Sequence, residues 1–262
     1  MRSRVYETLE GYARNNNLSA TSPTIKLVLG LASILLCVSS PGPICPLLVG
    51  ITMSAVILVL ARIPPRIYIH LLLIPVLFAV MSITVILFIT GSGATLLEVP
   101  GLPLAVTADG ANLAILLVTR VFGGICSLLF VALTTPMTET FAMLKRLRVP
   151  TVLIDLAMLT YRFIFILIDE AGQIYRSQML RLGYSRFRES VNSFGMLAGA
   201  LFLRTVESGE ALVLAMDARC YDGMFDIPGH SRPASLSSII AVLVYIGAMA
   251  AVSLKTGGLL LV

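Results

Sequence analysis

Lysine and arginine, the residues that grip carboxylates and phosphates, are distributed unevenly along this chain. Of the 19 such residues, 11 lie between positions 134 and 236, whereas positions 91–110 contain none. Arginine presents a planar fork of hydrogen-bond donors that matches the geometry of a carboxylate or a phosphate. The basic block at 134–236 therefore predicts a surface that docks an acidic partner.

Two short segments of this block each place an arginine where a predicted helix ends. Arg181 lies within residues 178–184 and Arg219 within residues 215–223, and each is followed by a glycine that can end a helix. A positive charge in the last turn also interacts favourably with the helix dipole. Two ordinary helix ends could therefore carry an arginine followed by a glycine without any docking role. The repetition favours paired docking contacts on a partner that has two equivalent sockets.

A pair of glycines in the second of these helices is a candidate helix crossing. Gly195 and Gly199 form a GxxxG pattern, which lets two backbones approach closely and cross. Small residues are also common in ordinary helices, so the pattern alone leaves both interpretations open.

The residue types that commonly perform catalysis or hold metals are few and scattered. No CxxC pair occurs among the cysteines, which we expect to be small buried apolar residues, and the two histidines are isolated. No GxxxxGK[ST], HExxH or GxSxG pattern is present. We therefore expect a chain that is not an enzyme, does not hydrolyse ATP, and binds no metal or cofactor of its own. The residues concerned are Cys37, Cys45, Cys126, Cys220, His70 and His230.

The composition predicts an integral membrane protein. The chain is 57% hydrophobic and only 13% charged, and its mean hydropathy is +0.94, whereas a soluble domain carries about 25% charged residues. A net charge of +5 can indicate nucleic acid binding, but beside long apolar segments it marks the cytoplasmic side of a membrane protein. We therefore expect contact with membrane lipid and not with nucleic acid.

The apolar segments predict an all-α fold with about five transmembrane helices and two long cytoplasmic or interfacial helices. A transmembrane helix needs about 20 apolar residues. The first two spans are short, and Pro41-Gly42-Pro43 joins them in a tight hairpin. Residues 1–22 are polar, so no cleavable signal peptide is expected. The predicted spans lie near 25–40, 46–61, 67–90, 111–133 and 237–254, which gives a membrane domain at 1–133, a cytoplasmic region at 134–236 and a last transmembrane helix within 237–262.

The positions of the charges predict the orientation of these spans. If the N-terminus is cytoplasmic, three basic regions all lie on the cytoplasmic side. They are the N-terminus, the turn at 62–66 and the block at 134–236. The loop at 91–110 then lies outside, as a short hairpin or re-entrant turn, and the C-terminus also lies outside. Arg120, inside the fourth span, is expected to be structural and not a substrate contact.

Residues 151–168 are apolar but contain Asp155 and Arg162. Each charge costs about 2.5–3.5 kcal/mol at the centre of a bilayer. We prefer a long helix that lies partly at the interface and continues to about Gly183, followed by a second long helix at 187–221, and we leave open whether 151–168 spans. Arg162 is expected to pair with Asp155 or Asp169.

Five short segments, spread over nearly the whole chain, carry a resemblance to a known family. They are Ser22-Pro23-Thr24-Ile25-Lys26-Leu27, Leu147-Arg148-Val149-Pro150, Leu159-Thr160-Tyr161-Arg162-Phe163, Asp169-Glu170-Ala171 and Ala215-Met216-Asp217-Ala218-Arg219. The chain resembles the transmembrane T component of energy-coupling factor transporters, in particular the cobalt-type CbiQ subfamily. Residues 215–219 are similar to the family's second Ala-Arg-Gly signature, with Cys220 where glycine is usual. In the first signature, Leu182 stands between Arg181 and Gly183.

This resemblance implies a coupling subunit of an importer in the cell membrane. Two long helices would cross, and each would dock an arginine motif into one of two ATP-binding-cassette ATPases. The implied membrane partners are a substrate-binding S component similar to CbiM and an accessory subunit similar to CbiN. The substrate would be cobalt or nickel, or alternatively a vitamin such as biotin. Two competing functions are a membrane anchor and a membrane-embedded enzyme. The implied docking residues are Arg181, Gly183, Ala218, Arg219 and Cys220, and the implied crossing residues are Gly195 and Gly199.

Overall fold

Eight α-helices and one strand pair are the main elements in the part of the chain that the structure, a computed structural model, describes: residues 11–13, 16–89, 95–98, 105–221 and 235–256. The all-α membrane fold predicted from the sequence is confirmed. A π-helical turn, Val56–Leu60, continues the second helix. The helices are α1 (Pro23–Ser39), α2 (Ile44–Ala55), α3 (Pro65–Ile89), α4 (Ala108–Thr134), α5 (Met137–Arg146), α6 (Thr151–Leu180), α7 (Phe187–Asp217) and α8 (Leu236–Lys255).

The predicted short hairpin at 91–110 is also present. Strands β1 (Thr95–Glu98) and β2 (Ala105–Thr107) pair antiparallel, and Thr107 caps the start of α4 by accepting a hydrogen bond from the Gly110 N–H at 3.3 Å. A short polar side chain at this position satisfies one of the free N–H groups of a helix start. The predicted helix stop at Gly223 lies outside the described residues.

The chain divides into two compact units. The first, here the apolar unit, comprises residues 9–139 and 230–262, and the second, here the basic unit, comprises residues 1–8 and 140–229. The apolar unit therefore holds α1–α4 and α8, and the basic unit holds α6, α7 and most of α5. The domain bounds at 133 and 236 that the sequence predicts stay a prediction.

Within the described residues, four helices are long and apolar enough to cross a membrane by length and composition. They lie at Pro65–Ile86, Gly110–Thr134, Thr151–Leu180 and Leu236–Lys255. The first two predicted spans form shorter apolar helices, Pro23–Ser39 and Ile44–Leu60. Since α6 satisfies the same criterion as the clear spans, it is a candidate span, which is one of the two alternatives left open for residues 151–168.

The core of the apolar unit lies where α4 packs against α1, α2 and α3. Three of the four cysteines are fully buried there, as predicted for small apolar residues. Two hydroxyl pairs join helices across this core: Ser54 Oγ with Tyr68 Oη at 2.6 Å, and Thr52 Oγ1 with Tyr245 Oη of α8 at 2.7 Å. Core residues include Cys37, Cys45, Val49, Met53, Ile57, Cys126, Phe130 and Leu133.

Glycine permits a close contact between helix backbones in this core. A Cβ atom at Gly123 of α4 would lie 2.8 Å from Cys37 Sγ, and closer still to the backbone oxygen of Pro46. Small residues allow helix backbones to approach when no hydrophobic effect drives association in lipid. Gly123 therefore sets the distance between α4 and both α1 and α2.

Charged side chains inside the apolar unit stabilise helix ends. Lys26 is only 2% exposed, and its Nζ donates to the Thr134 carbonyl at the end of α4 at 3.0 Å. Arg120 Nη2 donates to the Ser40 carbonyl at the end of α1 at 2.7 Å, in agreement with the structural role expected for it. Terminal carbonyls lack partners within their own helix, and a cation there also suits the helix dipole.

The close contact at Gly123 gives a test of the packing. We expect Gly123→Ala to lower the free energy of unfolding by about 1–3 kcal/mol, because the added methyl group must displace neighbouring backbone. Thermal unfolding of the purified protein in mild detergent would measure the change. Gly124→Ala is the matched control, since a Cβ at Gly124 meets no atom within 4 Å and alanine favours helix over glycine by up to about 1 kcal/mol. Equal destabilisation by both substitutions would contradict the account.

Candidate functional site

Helices α6 and α7 form the basic unit's main contact, and one ion pair joins them. Arg204 Nε lies 3.4 Å from Glu170 Oε1. Among the residues that the structure describes, Arg162 forms no ion pair, so the expected pairing with Asp155 or Asp169 is wrong. Each carboxylate lies seven residues away, which is about 10 Å along a helix axis, whereas side chains that face each other on one helix are three or four residues apart.

Helix α6 ends in a turn with two characteristic hydrogen bonds. The Gly183 N–H donates to the Gln178 carbonyl at 2.9 Å, and the Leu182 N–H donates to the Met179 carbonyl at 3.1 Å. This pair of bonds defines the Schellman motif. Leu182 has a φ of 60°, which lies in the left-handed region. Arg181 comes directly before it.

Helix α7 ends in the same turn. The Tyr221 N–H donates to the Met216 carbonyl at 3.1 Å, and the Cys220 N–H donates to the Asp217 carbonyl at 3.1 Å. Arg219 precedes Cys220, whose φ is 54°. The two arginines therefore occupy equivalent positions in two equivalent turns.

The hydrogen bonds also correct which residues end the helices. We expected glycines to do so, but the left-handed positions belong to Leu182 and Cys220. Gly183 is equivalent to Tyr221, one position later. Left-handed backbone costs a side-chain-bearing residue roughly 1–2 kcal/mol and costs glycine almost nothing. Glycine is therefore the unstrained residue at position 220, and Cys220 holds the same turn under strain.

Gly183 is required for a different reason, which is close contact with α7. A Cβ atom there would lie 2.7 Å from Ser193 Oγ, and that hydroxyl donates to the Gly183 carbonyl at 2.7 Å. Gln178 Nε2 donates to the Ser193 carbonyl at 3.0 Å, and Tyr184 Oη donates to Gln178 Oε1 at 2.8 Å. These bonds fix the turn after Arg181 to α7. No sequence pattern indicated Ser193, since a lone serine in a helix carries no signal.

Both arginines lie on exposed helix ends. Arg181 lies between Leu180 and Leu182, which are 88% and 73% exposed, and Arg219 and Ala218 are exposed as well. Within the described part of the chain, neither arginine forms an ion pair. A guanidinium beside bare leucine surface combines a charged group with an apolar contact, as a groove-binding anchor requires.

The predicted crossing glycines are not in contact with another helix. A Cβ atom at Gly195 or Gly199 would meet no atom within 4 Å. Phe194 and Phe202, which are 65% and 69% exposed, flank them. A crossing at these glycines therefore stays a prediction.

No metal site is evident among the residues that the structure describes. They contain no group of three or more histidine, cysteine or acidic side chains placed to hold a metal ion. Cys220 is an exposed free thiol.

The strained turns predict an unusual effect of glycine. We expect Cys220→Gly to raise the free energy of unfolding by about 1 kcal/mol, because it relieves left-handed strain. Chemical or thermal unfolding in detergent would measure the gain. Ala215→Gly, four residues before Arg219 and inside α7, should instead lose about 1 kcal/mol. A loss of stability in both variants would show that the α7 end does not adopt this turn.

The chain is similar to known transport proteins. The family called CbiQ, described as cobalt transport protein, matches residues 14–228. A protein of Methanocorpusculum labreanum described as a fused cobalt transport protein, CbiMQ, is 40% identical over 244 residues, which is 91% of this chain and 41% of that relative. The cobalt transport protein CbiQ of Rhodobacter capsulatus is 29% identical over 218 residues, or 83% and 85% of the two chains.

A third relative has a more general name. The energy-coupling factor transporter transmembrane protein EcfT of Ruminiclostridium cellulolyticum is 34% identical over 131 residues, which is 46% of this chain and 49% of that relative. The family match at 14–228 includes both arginine turns.

Proposed function

Because this chain belongs to the CbiQ family of cobalt transport proteins, we propose that it is the transmembrane coupling subunit of an ATP-driven, energy-coupling factor importer for cobalt ions. The family match and the relatives named CbiQ and EcfT support this function. The subunit itself is not catalytic. ATP is hydrolysed by partner subunits, and this chain transmits their motion.

The observation that carries the proposal is the pair of equivalent arginine turns. An ATPase pair offers two equivalent grooves, and Arg181 and Arg219 end their helices in the same hydrogen-bonded geometry. An arginine that enters a groove with an acidic residue makes short, charge-assisted and often bidentate hydrogen bonds. Two such joints would attach each ATPase to one long helix.

Transmission of motion requires that each joint be stiff. The turn after Arg181 is held by its own backbone bonds and by Ser193 of α7, so movement of an ATPase would move the helix end as one piece. In chain order, α4 comes directly before α5. The last carbonyl of α4 binds the buried Lys26. We infer that this anchored helix end receives the movement in the apolar unit.

Membership of the family supports a proposal for the partners and the substrate. We propose two ATP-binding-cassette subunits, a CbiM-like S component that binds the metal, and a small CbiN-like accessory subunit. The relative named CbiMQ supports the CbiM-like partner, and this chain spans 41% of its length. Cobalt is the proposed substrate, with nickel or a vitamin such as biotin as alternatives, and this chain would hold no metal or cofactor.

The proposed docking also fixes an orientation in the cell membrane. The arginine turns must face the compartment that supplies ATP, so the basic unit and the N-terminus would be cytoplasmic. An excess of lysine and arginine on the cytoplasmic side agrees with the general rule for membrane proteins.

Charge reversal of both arginines tests the docking. In the double variant Arg181→Glu, Arg219→Glu we expect at least about a thirtyfold loss of affinity for the ATPases, because disrupting a buried charge pair costs about 2–5 kcal/mol. ATP-dependent cobalt uptake should be lost, while the unfolding temperature stays the same. Co-purification of the ATPases in mild detergent and uptake into reconstituted vesicles would measure the two effects.

The matched control reverses two other exposed arginines, which lie near the turn that ends α6 and belong to neither turn. The variant Arg176→Glu, Arg188→Glu changes the net charge equally but leaves both turns intact, so it should retain the ATPases and the uptake. Equal losses in both double variants would indicate general attraction to an acidic surface. Unimpaired uptake in the variant at Arg181 and Arg219 would overturn the proposed joints and favour a membrane anchor or a membrane-embedded enzyme.

A further inference from the structure

A cleft of about 250 Å³ lies between α6 and α7, and no residue of either arginine turn lines it. Its walls are mostly apolar, with one guanidinium and one hydroxyl among them. Most small-molecule pockets are larger, at about 300–1,000 Å³, so the cleft is small for a soluble ligand. The side chains that matter here are Leu159, Arg162, Phe163, Ile166, Ser208 and Leu212.

Arg162 is the group in this cleft that requires a partner. On its own helix the residues three and four positions away in either direction are all apolar. Glu170, two turns further along α6, is bound to Arg204. Across the cleft, α7 contributes Ser208 and apolar side chains. The lining of the cleft therefore presents a positive charge and a hydroxyl donor without a carboxylate.

Helix α6 adds a constraint from its surroundings. It is one of the four helices that are long and apolar enough to cross a membrane. An arginine within such a segment is unfavourable at the bilayer centre unless it finds a partner or reaches the interface. A lipid phosphate at the end of a snorkelling guanidinium satisfies this requirement.

We propose that the cleft binds an anionic phospholipid, with its phosphate on Arg162 and Ser208 and the start of an acyl chain on Leu159, Phe163, Ile166 and Leu212. The site needs an anion and an apolar chain in the same molecule, which a phospholipid supplies and a free phosphate does not. The site is distinct from the ATPase-docking turns, and the inference does not rest on the proposed transport function.

A single introduced tryptophan can report on this cleft, because the chain contains no tryptophan. Phe163→Trp places the fluorophore on the wall of the cleft. The full-length protein would be reconstituted in phosphatidylcholine vesicles that contain either brominated phosphatidylglycerol or brominated phosphatidylcholine, since bromine quenches nearby tryptophan. We expect the anionic lipid to quench with about tenfold higher apparent affinity, the equivalent of one charge-assisted hydrogen bond.

Substitutions of Arg162 separate a specific site from general attraction. Arg162→Gln in the Phe163→Trp background should remove the preference for phosphatidylglycerol, and Arg162→Lys should retain part of it. The control Arg176→Gln removes an exposed charge from the same helix outside the cleft and should keep the preference. Retention of the full preference in Arg162→Gln, or an equal loss in Arg176→Gln, would overturn the proposal.

Two further measurements distinguish a bound lipid from a free anion and from an effect of the fluorophore. Inorganic phosphate added in excess should not restore the tryptophan fluorescence that the brominated lipid quenches. If phosphate did restore it, the cleft would bind a free anion instead of a lipid. Native mass spectrometry of the chain without the tryptophan should find phosphatidylglycerol retained after detergent washing in the unsubstituted protein and not in Arg162→Gln. Equal retention in the two proteins would contradict the site independently of the fluorophore.

Discussion

A helix must satisfy its last carbonyl groups, and the way in which α6 and α7 do so determines where the two arginines lie. Both helices use the same pair of backbone hydrogen bonds, and both place a residue with a side chain in the left-handed region. Arg181 and Arg219 precede those residues and share one geometry. The equivalence of the two arginine positions is therefore a property of the backbone. The proposed attachment of two ATPases depends on this equivalence.

Basic residues of the two units differ in their partners. In the apolar unit, Lys26 and Arg120 are bound to helix-end carbonyls and hold α1 and α4 in place. In the basic unit, Arg204 pairs with Glu170, whereas Arg162, Arg181 and Arg219 have no ionic partner among the described residues. We propose that these last three arginines bind an ATPase or a lipid.

The sequence predicts the helices and both arginine segments, because hydropathy and residue spacing report directly on them. It does not predict backbone angles, so it assigned the helix stops to glycines and not to Leu182 and Cys220. Nor does it identify which glycines pack closely: the GxxxG pattern pointed to Gly195 and Gly199, whereas Gly123 is among the glycines that do. That choice depends on which helix lies opposite, a tertiary property.

Cross-linking from Cys220 tests the central claim most directly. This residue is an exposed free cysteine beside Arg219, while the other three cysteines are buried, so a short thiol-directed cross-linker in native membranes would act at one helix end. The account predicts a covalent product with an ATP-binding-cassette subunit that is lost when Cys220 is replaced by serine. Efficient labelling of Cys220 without any ATPase product, while the subunits are present in the same membranes, would contradict it.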